Sequence, residues 1–383
     1  MQSRTESGIA AKPTGCNPWA LSGLPVRPTP LPCPGWLALV AGAAAMASLA
    51  AAPADKDGPE KTAAKLITPA TDRAIERGLA FLASRQHKDG TFGAGGFSKN
   101  AAVVSLCGMA MMSGGSTPGR GPYGAEVDRC LDYVLKNTQE SGYIVAPSDP
   151  QNPDNRPMYG HGFATMFLAE CSGMARQADL RVKLGKAVQL ILNCQNEEGG
   201  WRYFPIRAEA DVSVTVCQVM ALRAARNAGV FVPREKIDLA IDYIKKCQNP
   251  DGGFKYILAP GGESSFPRSA AAIVGLYSAG IKEIDQGPEV ARGLNYLVQY
   301  IPQRGVQRRD LYYFYGHYYA VLAMWQAGGN HWSRWYPAIR EELLARQRPT
   351  GSWVDLSVSN EFATAMACLI LQMANNYVPI FQR

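Results

Sequence analysis

The sequence predicts an all-α fold in which six helix pairs close into a ring, an α6/α6 toroid (barrel). Three observations lead to this prediction. A short motif recurs along the chain: Gln, three residues, Gly, one residue, then an aromatic residue. An amphipathic helical pattern precedes the motif, and a helical pattern that is apolar on nearly every side follows it. No segment shows a convincing strand pattern.

The recurring motif has four clear copies and two degenerate ones. The clear copies start at Gln86, Gln195, Gln248 and Gln347, and the degenerate copies are predicted at Gln139 and near Ile301. Glycine can adopt positive φ and end a helix, while the Gln amide can bond the unpaired backbone groups of a helix end. We therefore predict that the motif is a structural clasp between repeats and carries no chemistry.

The motif divides the chain into six units of about 50 residues, a period typical of a helical-pair repeat. The predicted units are 72–115, 124–174, 180–230, 234–281, 287–328 and 333–377. An open array of repeats needs polar units at its ends. Because the first and last units are as apolar as the middle ones, the sequence favours a closed ring with six buried inner and six half-exposed outer helices.

The N-terminal region differs from the repeats. Residues 1–54 are predicted to be a leader with a signal segment, residues 55–70 a linker, and residues 71–383 the toroid. The apolar run Trp36–Ala54 ends in small residues before a charged stretch, as a cleavable export signal does. We expect an exported protein, located in the periplasm or cell envelope or secreted. The alternative is an uncleaved anchor helix, which would be the chain's only attachment to a membrane.

Net charge limits the expected partners, and the cysteine count limits the possible disulfides. The formal net charge is +7, with no block of Lys or Arg, so nucleic acid is not an expected partner. Seven of the nine cysteines follow the signal segment, and none forms a C-x-x-C pair. Because seven is an odd number of cysteines, at least one thiol must be free. Cys194 and Cys247 occupy the same position in two repeats, and we interpret them as buried apolar residues.

The clasp motif also carries a resemblance. With the pairs that precede it in "FLASRQ" and "YIKKCQ", it resembles the QW motif of squalene and hopene cyclases. The motif recurs in the α/α toroid superfamily, which includes the β subunits of protein prenyltransferases. The resemblance covers about residues 70–378. It implies an α6/α6 barrel with a central apolar cavity.

The resemblance does not extend to the catalytic motifs of these enzymes. The cyclases use D-x-D-D to protonate an alkene, and the nearest segment here, "ADVSVTVC", has only Asp211, with Ser213 and Val214 where acids are expected. Asp211 is thus the one candidate catalytic residue. The alternative is a helix N-cap at a wet helix end with an ordinary pKa. The prenyltransferases hold zinc with an Asp-x-Cys pair and a His, and Asp128–Cys130 lies on an outer helix here, so we predict no metal and no cofactor.

The starts of the inner helices should converge at one end of the ring, where long loops also lead. The ligand-binding candidates there are Tyr159, His161, Arg268, Tyr315, His317 and Glu361. Both histidines follow the dipeptide "YG", which is a second sequence repeated within the chain. They are either a pair of imidazoles that bind a ligand or two hydrogen-bonded histidines that repeat because the unit repeats.

The sequence therefore predicts an exported toroid that binds an apolar small molecule or a protein segment without the superfamily's known catalysis. An isoprenoid cyclase or prenyl-transferring enzyme with non-standard catalytic residues is the alternative. A structural module of the cell envelope is the third hypothesis.

Overall fold

The structure is a computed structural model, and we describe residues 65–146, 154, 156–281, 287–303 and 312–382. The predicted leader and most of the predicted linker lie outside these residues. Within them the chain forms twelve α-helices: α1 (Pro69–Arg85), α2 (Ala101–Ser113), α3 (Gly124–Lys136), α4 (Pro157–Cys171), α5 (Leu180–Cys194), α6 (Val212–Asn227), α7 (Arg234–Lys246), α8 (Phe266–Ser278), α9 (Pro288–Val298), α10 (Tyr313–Ala327), α11 (Gly329–Arg346) and α12 (Asn360–Leu371). Two short 3₁₀ helices follow, Met373–Asn375 and Pro379–Phe381.

The twelve helices form two concentric layers. The even-numbered helices are the inner layer, and each packs against the next along the chain. The last inner helix, α12, packs against the first, α2, and α11 packs against α1. The predicted closed ring of six helix pairs is therefore confirmed, and the helix pairs begin and end within six residues of the predicted unit bounds.

Hydrophobic patterning decides which helix lies in which layer. In α2 only Ala102 is not buried, because the helix carries small and apolar residues on every side. In α7 only Ile237, Ala240, Ile241, Tyr243 and Ile244 are buried, which is one face of the helix. An all-apolar helix must be covered on all sides, whereas an amphipathic helix can face water.

The Gln of each clear motif copy joins one repeat to the next. Its amide nitrogen donates to a backbone carbonyl near the start of the following outer helix. The pairs are Gln86 with Glu126 (3.0 Å), Gln195 with Lys236 (2.8 Å), Gln248 with Glu289 (2.7 Å) and Gln347 with Ala74 (2.8 Å). Because the last pair connects α11 to α1, the clasp also closes the ring.

The motif glycine is required for two reasons. Gly252 has φ +86°, a conformation that L residues rarely adopt. A Cβ on Gly252 would also overlap the carbonyl oxygen of Arg292 in the next outer helix. Gly90, Gly199 and Gly351 share both properties. The clasp thus brings two backbones closer than any side chain would allow.

The motif aromatic residue fixes its own outer helix. The indole nitrogen of Trp201 donates to the carbonyl of Ile191 at 2.7 Å, and that of Trp353 donates to Leu343 at 2.8 Å. Both carbonyls lie in the last turn of the helix, and the Leu343 carbonyl also accepts from the Gln347 amide at 3.1 Å. The aromatic residue therefore caps the helix C-terminus as well as filling space.

The prediction of a degenerate motif at Gln139 is wrong by one residue. The backbone bridge that joins Gln86 to Phe92 and Gln248 to Phe254 joins Thr138 to Ile144 in the second unit. Gly142, two residues before Ile144, has φ +85° and abuts the backbone of Lys186. The glycine position is thus kept while Thr and Ile replace Gln and the aromatic residue.

The centre of the ring is filled by side chains in the part of the chain that the structure describes. Tyr318 and Tyr319 are fully buried in α10, and Met166 and Phe163 in α4 expose 1% and 4% of their surfaces. At these residues, side chains occupy the interior where a central apolar cavity was expected. Large residues on the inner helices occupy the space that such a cavity would need.

The C-terminal segment closes one end of the ring. Phe381 is buried, and its carbonyl accepts a hydrogen bond from the Trp325 indole at 3.0 Å. The segment also packs against α6, and the amide of Ile380 donates to the Glu170 carboxyl. Burial raises the pKa of Glu170 to about 8. Because these residues lie near the ends of α4, α6 and α10, the segment covers the C-terminal end of the inner layer.

The cysteines of the described chain are buried thiols. Seven are present in these ranges, and none forms a disulfide. Cys194 and Cys247 are 7% and 0% exposed, as interpreted from the sequence. Burial raises the pKa of the Cys247 thiol to about 11, which keeps it protonated and poorly reactive.

Candidate functional site

At the end of the inner layer where the inner helices begin, the described residues include a group of polar and aromatic side chains, which we call the mouth cluster. It consists of Arg156, Tyr159, Arg202, Tyr203, Asp211, Tyr256, Arg268 and Tyr315. These residues come from the first turns of α4, α8 and α10, from the residues preceding α4 and α6, and from the loops 201–211 and 254–265.

Backbone hydrogen bonds hold the two loops over the inner helices. The amide of Met158 in α4 donates to the Tyr203 carbonyl at 3.0 Å, and that of Val212 in α6 donates to Tyr256 at 3.0 Å. Each loop therefore satisfies a free N–H in the first turn of the preceding inner helix. This contact sets Tyr203 and Tyr256 side by side.

Guanidinium groups lie over both tyrosine rings. The Arg156 and Arg202 guanidinium carbons are 4.8 Å and 5.1 Å from the Tyr203 ring centre. Those of Arg202 and Arg268 are each 5.7 Å from the Tyr256 ring centre. The hydroxyls of Tyr203 and Tyr256 hydrogen bond to each other. These cation–π contacts hold the guanidinium groups over the two tyrosine rings.

Asp211 is the N-cap of α6, as one of the two predictions had it. Its Oδ1 accepts from the Val214 amide at 2.9 Å. The expectation of a wet helix end with an ordinary pKa is wrong, because the residue is 0% exposed and burial raises its pKa to about 6. The hydrogen bond from the Val214 amide, the charge of Arg202 and a hydrogen bond from the Tyr256 hydroxyl lower this pKa only in part. Oδ2 has no partner at normal hydrogen-bond distance, and Arg202 Nε lies 4.0 Å away.

Three other sequence candidates join Asp211 in this cluster. Arg268 donates to the carbonyls of Phe254 (3.0 Å) and Glu263 (2.7 Å), which fixes its guanidinium beside Tyr256. Tyr159 lies 6.5 Å from Tyr203 between ring centres. Burial raises the pKa of Tyr159 and of Tyr315, so both hydroxyls are neutral donors.

The two histidines lie elsewhere, between the inner and outer layers. His161 Nδ1 accepts from the Ile144 amide and its Nε2 pairs with the Ala187 carbonyl, both at 3.2 Å. Burial lowers its pKa to about 4, so the ring is neutral. In other repeats the backbone amide at the position equivalent to Ile144 donates to a hydroxyl instead. The acceptors are Thr215, Ser269 and Thr364. His161 therefore takes the structural role that a hydroxyl has in the other repeats, and this geometry does not support ligand binding.

His317 is packed among aromatic rings. Its ring centre is 4.5 Å from that of Tyr313, 5.0 Å from Phe266 and 6.0 Å from Trp335, which lies on the outer helix α11. The side chain is 3% exposed. His317 is thus not brought to the mouth cluster, and the two histidines do not form a pair.

Glu361 is also held in a structural contact. Its Oε1 accepts from Arg85 Nε at 3.1 Å, which links the start of α12 to the end of α1. Its carboxyl lies against Gly93, so a side chain there would overlap it. The predicted ligand-binding role of Glu361 has no support from this position.

A metal site does not form within the described ranges, where no three His, Cys, Asp or Glu side chains converge. Asp128 accepts from Gln177 at 3.1 Å, and the Cys130 thiol accepts from Gln86 at 3.3 Å. These contacts lie on the outer helix α3, away from His317.

A groove adjoins the mouth cluster. It has a volume of about 450 Å³ and is lined by Asn196, Glu197, Glu198, Arg202, Arg207, Ala208, Glu209, Ala210, Ile257 and Leu258. Arg202 belongs to both the groove and the cluster, and its NH1 donates to Glu209 at 2.7 Å. The groove therefore reaches Arg202, whose Nε lies 4.0 Å from the buried carboxyl of Asp211.

The sequence prediction missed Arg156, Arg202, Tyr203 and Tyr256. A signal for the last three was present: "WRY" at 201–203 and "FKY" at 254–256 place a basic residue and a tyrosine directly after the motif aromatic. This echo has the same 53-residue spacing as the motif itself. It was hidden because the residues fall in loops, where periodicity gives no information.

No helix in the described ranges is long and apolar enough to span a bilayer.

Comparison with known proteins identifies the family. The sequence profile of the prenyltransferase α/α toroid domain matches residues 61–307 and 232–380. These matches cover most of the chain, so the protein belongs to the prenyltransferase α/α toroid family. A search of curated proteins finds no match.

Solved structures show the same fold at low sequence identity. A type II terpene cyclase from Scytonema, in complex with merosterolic acid A, is 14% identical over 81% of this chain and 98% of its own, with a TM-score of 0.55. Cellobiose 2-epimerase from Bacillus thermoamylovorans is 11% identical over 82% and 99%, with a TM-score of 0.56. A GH76 α-mannanase from Bacteroides thetaiotaomicron is 11% identical over 80% and 96%, with a TM-score of 0.55. These similarities define the fold alone.

Proposed function

We propose that the protein is an exported ligand-binding toroid that takes its ligand at the mouth cluster and lacks the catalysis of the cyclases. The observation that carries this proposal is the contrast between the two parts of the inner layer. The middle of the ring is filled, and the C-terminal segment covers its far end. The mouth instead has partly exposed arginines and tyrosines around a carboxylate oxygen without a partner.

The unpartnered oxygen supports the proposal because of where it lies. A buried polar atom without a hydrogen bond costs about 1–3 kcal/mol, so it requires an explanation, and beside a groove a bound ligand can provide one. Asp211 Oδ2 is such an atom, and the groove beside Arg202 gives the approach to it.

The alternative function is an isoprenoid cyclase that uses Asp211 as its acid. The relation to a terpene cyclase and the raised pKa of Asp211 favour this alternative. Two physical facts oppose it. A carboxylic acid with a pKa of about 6 and no neighbouring acid is too weak to protonate an alkene. A polyprene chain also has no room in a filled ring.

Hydrogen–deuterium exchange of the purified full chain tests the proposal. Fractions of an envelope extract, separated into lipids, polar small molecules and glycans, serve as probes. We expect at least one fraction to slow exchange in the loops 201–211 and 254–265 while the outer helices stay unchanged. Tyr256→Ala should abolish the effect, and the surface change Tyr377→Ala should not.

Two outcomes would count against the proposal. Either no fraction changes exchange at the mouth, or the protected residues lie on the outer helices. Conversion of a polyprene by the wild type and not by Asp211→Asn would favour the cyclase.

Export is a separate part of the proposal, and it is supported by the apolar run Trp36–Ala54. We expect the mature protein to begin near Ala50–Ala54. Mass spectrometry of the protein from separated cell fractions checks this, and an intact N-terminus in the cytosolic fraction would contradict it.

A further inference from the structure

We propose that the mouth cluster and its groove bind a neutral polyhydroxylated ligand, a short oligosaccharide, with one ligand hydroxyl placed between Asp211 Oδ2 and Arg202 Nε. This inference rests on the proposed ligand-binding function and adds the chemical class of the ligand. It depends on three features: the gap between these two atoms, the lining of the groove and the charges around it.

The gap between the two atoms selects the bound group. Asp211 Oδ2 and Arg202 Nε are 4.0 Å apart, which is too far for a direct hydrogen bond. One oxygen atom can lie at normal hydrogen-bond distance from both. It must donate a proton to the carboxylate and accept one from the guanidinium. Of the common ligand groups, a hydroxyl does both.

Charged and apolar groups do not fit the same place. An ammonium group has no lone pair to accept from Arg202, which would also repel it. A phosphate or carboxylate would be repelled by the ionised Asp211. An apolar group would leave both polar atoms without partners, at a cost of about 1–3 kcal/mol for each.

The groove has the size and lining of a site for such a ligand. Its volume of about 450 Å³ lies within the roughly 300–1,000 Å³ of small-molecule sites. Asn196, Glu198 and Arg207 offer hydrogen bonds on its walls, and Ile257 and Leu258 add an apolar surface. Sugar rings need both, because they carry hydroxyls at their edges and C–H groups on their faces.

The lining of the groove carries three carboxylates and two guanidiniums, and one pair of them is in contact. Arg202 NH1 donates to Glu209 at 2.7 Å, and Arg207 Nε donates to the Asn193 carbonyl at 2.8 Å. Two further carboxylates, those of residues 197 and 198, also line the groove. The lining therefore has one more negative than positive group, which repels an anionic ligand, and a cationic ligand is disfavoured only at the gap, where it would face Arg202.

Of the side chains that cover Asp211, Arg202 also lines the groove, so a shift of Arg202 opens a path from the groove towards Oδ2. The Arg202 side chain is 24% exposed, and its partner Glu209 is 80% exposed. An exposed ion pair contributes about 0–1 kcal/mol, so a ligand can displace it at small cost. The released guanidinium then remains free to donate to the ligand hydroxyl.

Titration calorimetry of the full chain tests the inference. The probes are neutral hexasaccharides (cellohexaose, mannohexaose, xylohexaose and maltohexaose), the anionic hexagalacturonate and the cationic hexamer of glucosamine. We expect saturable binding of at least one neutral probe and at least about tenfold weaker binding of both charged probes. A tenfold change corresponds to about 1.4 kcal/mol.

Two variants test the bridging hydroxyl. Asp211→Asn keeps the helix cap but weakens the acceptor, and Arg202→Met removes the donor. Each should weaken binding of the neutral probe at least about tenfold. Arg226→Met removes an exposed guanidinium at the other end of α6 and should leave binding unchanged.

Three results would overturn the inference. The first is no binding of any neutral probe at concentrations on the order of 10 mM. The second is equal binding by the wild type and Asp211→Asn. The third is a crystal structure with a neutral probe in which a water molecule alone bridges Asp211 and Arg202. If another compound still slows exchange at the mouth, the ligand class is wrong and the proposed function stands. If nothing does, both fail.

Discussion

At the scale of single residues, the molecule depends on positions where one atom decides the outcome. The clasp glycines are one case, because the neighbouring carbonyl occupies the space of a Cβ. Asp211 is the other, since one carboxylate oxygen caps a helix and the other has no partner. The clasp glycines and Asp211 each lead to a testable prediction.

Gly252→Ala should lower the free energy of unfolding by about 3 kcal/mol, through strained φ and overlap with Arg292. Gly261→Ala is the matched control, because Gly261 has φ +74° and no atom lies within 4 Å of the place its Cβ would occupy. This control should cost about 1 kcal/mol. Urea unfolding measures both values. Equal losses would show that the close approach of the backbones contributes nothing.

Asp211→Asn should change how stability depends on pH. Burial raises the folded pKa from 3.8 to about 6, so the folded state binds the proton more tightly than the unfolded state. The stabilisation that the protonated Asp211 adds to the free energy of unfolding is therefore fully present below pH 3.8. It is lost as pH rises through about 6. The wild type should lose about 2 kcal/mol relative to Asp211→Asn between about pH 4 and about pH 6.5. Parallel curves in urea unfolding across this range would contradict the assignment.

At the scale of elements, each clasp is a small network that joins two outer helices. In three clasps an arginine of the next helix donates to the Gln carbonyl oxygen: Arg129 to Gln86, Arg292 to Gln248 and Arg77 to Gln347. Leu239 takes this position opposite Gln195, whose Oε1 is buried and has no partner. One clasp is therefore weaker than the others.

Leu239→Arg should complete that clasp. Leu239 is 42% exposed, so the change removes little apolar burial, and the new guanidinium can reach Gln195 Oε1. We expect a gain of about 1 kcal/mol in the free energy of unfolding. Leu239→Met is the control and should be close to neutral. A variant no more stable than this control would show that Gln195 is already satisfied.

The C-terminal segment should stabilise the ring it covers. Phe381→Ala removes a buried ring beside Tyr318 and should cost about 3 kcal/mol. Tyr377→Ala, at a residue 63% exposed, should change stability by less than about 0.5 kcal/mol. Thermal unfolding compares the two. A Phe381→Ala protein as stable as Tyr377→Ala would mean that packing of the segment does not stabilise the ring.

At the scale of the whole molecule, hydrophobic periodicity and the recurring motif together were enough to predict the ring. The helix pairs, the layers and the closure follow from which residues must be buried, and this information is local. Asp211 could be placed at a helix start for the same reason. Its burial could not, because the loops with Tyr203 and Tyr256 cover it from other repeats. The filled centre also depends on how Tyr318 and Tyr319 pack across the ring, which no local pattern encodes.

Closure of the ring depends on the last repeat holding the first through the same clasp that joins the others. Urea unfolding of Gln347→Ala and Gln248→Ala compares the closing clasp with an internal one. In a closed ring both glutamines bind the next outer helix, so we expect equal losses of about 1–2 kcal/mol in the free energy of unfolding. A clear loss for Gln248→Ala with almost none for Gln347→Ala would contradict closure.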